Sequence, residues 1–188
     1  FRRVLFRSIT VTDTTGVSAS ALTTLAGKTT GAVTASAVTS VTGSVSELSA
    51  LYAVTNITGL GNEAISFSSA LSVSEANTVS ALTTGAVTAT ISDGDMSTLA
   101  GLTETGNVYT ITVTDTTGVS ASALTTLAGK TTGAVTASAV TSITGSVSEL
   151  SALYAVTNIT GLGNEAISFS SALSVSEANT VSALTDGA

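Results

Sequence analysis

Residues 9–86 recur at residues 111–188, offset by 102 positions, with two differences, Val41/Ile143 and Thr84/Asp186. This duplication constrains the fold more than any other feature. Whatever residues 9–86 build, residues 111–188 build again, and self-similar chains of this kind fold as arrays. A shorter variation runs inside the period. Residues 17–44, 45–72, 73–95 and 96–118 are successive units of 28, 28, 23 and 23 residues, and the pattern resumes at 119–146 and 147–174 before a partial unit at 175–188. Residues 9–188 therefore read as one repeat domain.

Each unit changes its hydrophobic period midway. First come apolar residues three apart: Val45, Leu48 and Leu51; Val73, Ala76, Val79 and Leu82; Met96, Leu99 and Leu102. That spacing lines one face of a short helix. Ser44 with Glu47, and Ser72 with Glu75, fit the S-x-x-E capping box, and Asp95 stands where it would cap a helix beginning at Met96. Gly27, Gly85 and Gly106 punctuate the helix exits. The second half alternates with period two. Val87, Ala89 and Ile91 oppose Thr88 and Thr90; Tyr109, Ile111 and Val113 oppose Thr110, Thr112 and Thr114; Ile65 and Phe67 oppose Ser66 and Ser68; Val33, Ala35 and Ala37 oppose Thr34 and Ser36. Alternation of this kind predicts strands with one apolar and one hydroxyl-bearing face.

A helix of about ten residues followed by a strand of about six cannot bury its own apolar face; neighbouring units must cover it. The expected fold is α/β: a right-handed solenoid of strand–helix units with a parallel sheet on one side. The shape resembles the leucine-rich-repeat architecture, although the LxxLxLxxN signature is absent and no Asn ladder is evident after the strands. A parallel β-helix is the alternative, and the capping boxes argue against it.

Composition excludes several functions. The chain contains no Pro, Cys, His or Trp, so the usual ligands of zinc, copper, haem and iron–sulfur centres are missing, as is the commonest base for a Ser nucleophile. Three of the five basic residues, Arg2, Arg3 and Arg7, lie in the first eight positions, leaving Lys28 and Lys130 against 12 acidic residues. Two lysines cannot form a basic patch for phosphate backbones or an anionic membrane. Mean hydropathy is +0.53, too apolar for a disordered chain. Ser, Thr or Gly interrupts every apolar run short of the ~18–20 residues that cross a bilayer.

Stretches such as AVTASAVTSVTGSVSEL and TITVTDTTGVSASALTTL resemble the Ser/Thr/Ala/Gly-rich tandem repeats of giant exported proteins of marine and cyanobacterial-type bacteria. The resemblance covers residues 9–188. It implies a structural spacer or stalk of a large adhesin-like, extracellular or cell-surface protein, with no catalytic residues and no cofactor. FRRVLFRS, residues 1–8, has no counterpart elsewhere in the chain and resembles a translated sequencing adapter; it is expected to lie outside the fold, and the repeat is expected to be open at both ends.

Four features invite chemistry. Gly27-Lys28-Thr29 and its copy Gly129-Lys130-Thr131 mimic the end of a phosphate-binding loop, but Leu22 stands where that loop needs Gly; a helix exit with a cation near the negative dipole end is the simpler expectation. Asp13, Asp93, Asp95 and Asp115 sit where strands end and helices begin. Capping accounts for them, and calcium is the alternative ligand. Thr110 with Thr112, Thr88 with Thr90, Thr34 with Ser36 and Ser66 with Ser68 would form outward hydroxyl rows, suited to an exposed strand or to binding glycan or ice. Asn56-Ile-Thr58 and Asn158-Ile-Thr160 are formal glycosylation sequons expected in loops. The expected partners are neighbouring repeats and cell-surface glycans, with end-to-end self-association through uncovered sheet edges.

Overall fold

A computed structural model describes residues 7–169 and 171–185; the rest of the adapter-like segment, residues 1–6, lies outside the described residues. The protein is α/β with parallel strand pairing. It divides into two compact units, one of Phe1–Ala70 with Glu75–Ala89 and one of Leu71–Ser74 with Thr90–Ala188.

The chain runs β1 (Ile9–Thr10), β2 (Val17–Ser18), α1 (Ala19–Ala26), β3 (Val33–Thr34), β4 (Ser40–Thr42), α2 (Val45–Tyr52), β5 (Ile57–Thr58), β6 (Ala64–Ser66), α3 (Val73–Ser80) and β7 (Val87–Thr90). It continues through α4 (Met96–Leu99), β8 (Val108–Thr112), β9 (Val119–Ser120), α5 (Ala121–Ala128), β10 (Val135–Thr136), β11 (Ser142–Thr144), α6 (Val147–Tyr154), β12 (Ile159–Thr160), β13 (Ala166–Ser168) and α7 (Val175–Ser182).

In the first unit β1, β3 and β5 form one sheet, with Ile9 beside Val33 and Val33 beside Ile57. A second sheet runs β2, β4, β6, β7, with Val17 beside Val41, Val41 beside Ile65 and Ile65 beside Val87. The second unit repeats both arrangements. Ile111 pairs with Val135 and Val135 with Ile159; Val119 pairs with Ile143 and Ile143 with Ile167. Paired strands are therefore mostly one 24-residue step apart, a shorter interval than the 28-residue units read from the sequence.

The inward strand residues meet the helix faces. Leu22, Val33, Val41, Leu48, Leu51, Ile65 and Val87 are buried in the first unit, and Tyr109, Ile111, Leu124, Val135, Ile143, Leu150 and Leu153 in the second. Removing one such Leu, Ile or Val from water is worth ~1.5–3 kcal/mol. The helices begin where the caps place them. Ser44 and Glu47 form both bonds of a capping box, as do Ser146 with Glu149 and Ser174 with Glu177. The backbone N–H of Ser44, then its hydroxyl, hold the Glu47 carboxyl below its ordinary range.

The elements are shorter than the periodicity predicts. The longest helices have eight residues and α4 has four. The expected strand through Val33, Ala35 and Ala37 stops at Thr34. Val38 N–H bonds Ala35 O at 3.0 Å, so the chain turns; Val38 is buried and Ala37 is exposed. The chain then forms β4, which alternation alone did not reveal.

Close approach of neighbouring segments fixes certain glycines. A Cβ at Gly133 would fall on the Tyr109 carbonyl, and one at Gly85 on the Glu63 carbonyl. Gly27, in a helical conformation with φ −69°, has its nearest neighbour to a Cβ at 3.5 Å. Gly133→Ala and Gly85→Ala should each cost ~1–3 kcal/mol through forced backbone shifts, whereas Gly27→Ala should be neutral or slightly stabilising. Urea denaturation of the three variants distinguishes these outcomes.

Candidate functional site

The surface features that drew attention in the sequence resolve into a row of hydroxyls and several polar clamps. The hydroxyl row follows from register. Thr10, Thr34 and Thr58 lie side by side across β1, β3 and β5, and Thr112, Thr136 and Thr160 do so across β8, β10 and β12. Thr88, Thr90, Thr110, Thr112, Ser36, Ser66 and Ser68 are exposed and Thr34 is half-buried. The row is one hydroxyl wide. With Ile111 beside Val135 and Val135 beside Ile159, the residues before them are Thr110, Ala134 and Asn158, so the second column of a T-x-T array does not continue.

Two of the four aspartates act as caps, each for a different helix from the one it precedes. Asp93 Oδ2 accepts the Val73 N–H at 2.7 Å, at the start of α3, and Asp115 Oδ2 accepts the Met96 N–H at 2.7 Å, at the start of α4. Each carboxylate sits about 20 residues beyond the helix it serves. Asp95, expected to cap α4, occupies the N-cap position without a side-chain bond to the helix backbone. It accepts the Ser97 hydroxyl at 2.6 Å and the Thr98 hydroxyl at 3.2 Å instead, and Ser97 above all holds its pKa below the ordinary value. Asp13 is exposed. Among the described residues no three potential metal ligands converge.

The Gly-Lys-Thr sequence closes a turn against the chain itself. Thr131 is buried. Its Oγ1 accepts the N–H groups of Tyr109 at 2.7 Å and Gly133 at 2.9 Å, and donates to Tyr109 O at 2.8 Å. Lys130 Nζ donates to Thr103 O at 3.0 Å. In the first copy Thr29 Oγ1 donates to Arg7 O and accepts Gly31 N–H. In the second copy the lysine and threonine that would cradle a phosphate are bonded within the protein.

Two clamps were not foreseen. Asn56, read as a loop sequon, opens β5. Its Nδ2 donates to the carbonyls of Ala26 at 3.1 Å, Thr29 at 3.2 Å and Gly31 at 3.4 Å, and Asn158 repeats this on Ala128, Thr131 and Gly133. An Asn placed just before the strand thus supplies the polar bridge that had been sought after it. The second clamp is a buried carboxylate. Glu63 is 0% exposed, as is its copy Glu165. Gly61 N–H reaches Glu63 Oε1 at 2.9 Å and Oε2 at 2.8 Å, and Tyr52 Oη donates to Oε2 at 2.6 Å. Thr83 Oγ1 donates to the Glu63 backbone carbonyl at 2.7 Å. A buried carboxylate is tolerable when hydrogen-bonded in this way. The signal available beforehand was a Tyr and a Glu eleven residues apart in both copies of a chain with only three tyrosines.

Burial, then the bond to Glu165, then its charge push the Tyr154 phenol up to about 12, and the same causes raise Tyr52. The folded chain thus favours the protonated phenols. Their contribution to stability is complete below the ordinary phenol value of 10 and is lost as pH climbs toward about 12. Denaturation free energies should fall across that interval, and the fall should flatten in the Tyr52→Phe/Tyr154→Phe double variant. Asn56→Ala leaves three carbonyls without their donor and should cost ~1–3 kcal/mol in chemical denaturation.

Comparison with protein-family models, with curated proteins and with solved structures gives no match to this chain.

Proposed function

We propose that the chain is part of a right-handed solenoid of strand–helix repeats and serves as a structural spacer or stalk within a large exported, cell-surface protein of adhesin type. The recurrence of one strand register carries this reading: segments 24 residues apart pair in parallel, and the two copies of the duplicated sequence form the same strand pairs. Such units bury their apolar faces only against neighbours, so length can grow by duplication without redesign. The polar groups described above are taken up in holding segments together, which suits a scaffold better than a catalyst. No helix among the described residues is long and apolar enough to cross a membrane.

The test is length. Adding one further 102-residue block should lengthen the particle by about 20 Å at the ~4.8 Å spacing of paired strands, with its cross-section unchanged, as read by small-angle X-ray scattering. Isotropic growth would overturn the spacer reading.

The threonine row supports a second reading, a binding face for glycan or ice, because Thr112, Thr136 and Thr160 present aligned hydroxyls. Thr136→Val at the centre of the row should then abolish glycan-array binding or thermal hysteresis while leaving the melting temperature in place. Wild-type protein inactive in both assays would remove this reading.

A further inference from the structure

The duplication places identical residues in two different surroundings. In the second unit the surface made by β8, β9 and α5 is covered by α4 and the chain around it. Met96 and Leu99 sit with Ala123 and Leu127 around a hollow of about 190 Å³. Asp115 receives the N–H of Met96 at the start of α4, and Lys130 reaches the Thr103 carbonyl beyond its end. Val119 and Leu127 are buried there.

In the first unit none of the described residues covers the equivalent surface in the way α4 does. Val17 and Leu25, the copies of Val119 and Leu127, are only half-buried, and Ala21, Asp13 and Lys28 are exposed. Ile9, Val11, Val17, Ala21 and Leu25 line an open hollow of about 230 Å³ with Asp13 at its rim. The apolar floor and both charged prongs match those of the second unit residue for residue.

We propose that this face, with Asp13 and Lys28, is a docking surface for a strand–helix segment of the chemistry of residues 87–104. Val17, Ala21 and Leu25 receive the side chains of the Met96 and Leu99 type. Asp13 accepts the first helical N–H, as Asp115 does, and Lys28 donates to a carbonyl past the helix end, as Lys130 does. An acid at the positive end and a base at the negative end of the incoming helix complement its dipole. Asp13 is thereby assigned a peptide partner in place of a cation. The inference depends on the geometry of the second unit and not on the spacer function, so a chain that fails to lengthen with added blocks leaves it standing.

The experiment titrates the full chain with a synthetic peptide of residues 86–108 and follows NMR shifts. Saturable shifts at Asp13, Ala21, Leu25 and Lys28 are expected. They should weaken at least about tenfold, the cost of losing a buried apolar contact at an interface, when the protein carries Leu25→Glu. The same loss is expected when the peptide carries Leu99→Asp, a change that leaves the protein intact. Absence of shifts, or shifts indifferent to both substitutions, overturns the proposal. Concentration-dependent dimerisation through the same face that the peptide does not displace would identify a second copy as the occupant and also overturn it.

Discussion

Each described strand pair sets one β-branched apolar residue beside another: Ile9 by Val33, Val17 by Val41, Ile65 by Val87, Val135 by Ile159, Ile143 by Ile167. The rest of each unit depends on that alignment. Side chains alternate faces along a strand, so a slip of one residue would carry Val33 and Val41 outward and bring threonines into the core. Strands of two or three residues have few hydrogen bonds with which to resist a slip. Their register is held by the apolar pairing and by the burial of the helix face that follows, Leu48 in one unit and Leu150 in the other.

Elements this short leave many backbone groups without partners, because the ends of a helix carry orphan N–H and C=O groups whatever its length. In an eight-residue helix these are a large share of the whole. Side chains from the neighbouring segment meet the need. Asp93 and Asp115 receive helix N–H groups, Asn56 and Asn158 serve helix-exit carbonyls, and Thr131 bridges Tyr109 to Gly133. Apart from the local Thr131–Gly133 bond, each of these joins residues roughly 20–30 positions apart, so the polar groups that finish one segment also fasten it to the next. This explains why a sequence so rich in Ser and Thr leaves none of its buried side-chain polar atoms unpartnered among the described residues.

That division also governs what could be read in advance. Helix starts were legible at Ser44, because a capping box is local and complete within four residues. Strands were legible at Val87–Thr90 and Val108–Thr112, where alternation runs long enough to stand out. Ser40–Thr42 and Ile57–Thr58 fall below that length, and their strand character comes from partners 24 residues away. Asp93 and Asp115 were recognisable as caps by type and position, but which helix N–H each one takes is a tertiary fact, and Asp95, expected to cap α4, bonds hydroxyls instead. The Glu63–Tyr52 pair left only its repeated spacing as a signal, for the same reason: a Glu after Gly-Asn in a loop gives no local sign of complete burial.

Strand partners 20–24 residues apart also keep the cost of closing each loop nearly constant, since that entropy grows only with the logarithm of length. The two copies could therefore diverge at a core position without disturbing the others. Val41 and Ile143 are both fully buried, each between a valine and an isoleucine: Val17 and Ile65 in one unit, Val119 and Ile167 in the other. An extra methylene forced into a tightly packed core ordinarily costs ~1–3 kcal/mol. Ile143 is seated with the same register, the same capping box at Ser146 and the same Asn158 bridge as its counterpart. The fold is thus specified by shape class and pairing at this position rather than by a unique residue, which is the tolerance a chain needs if it is to be extended by copying itself.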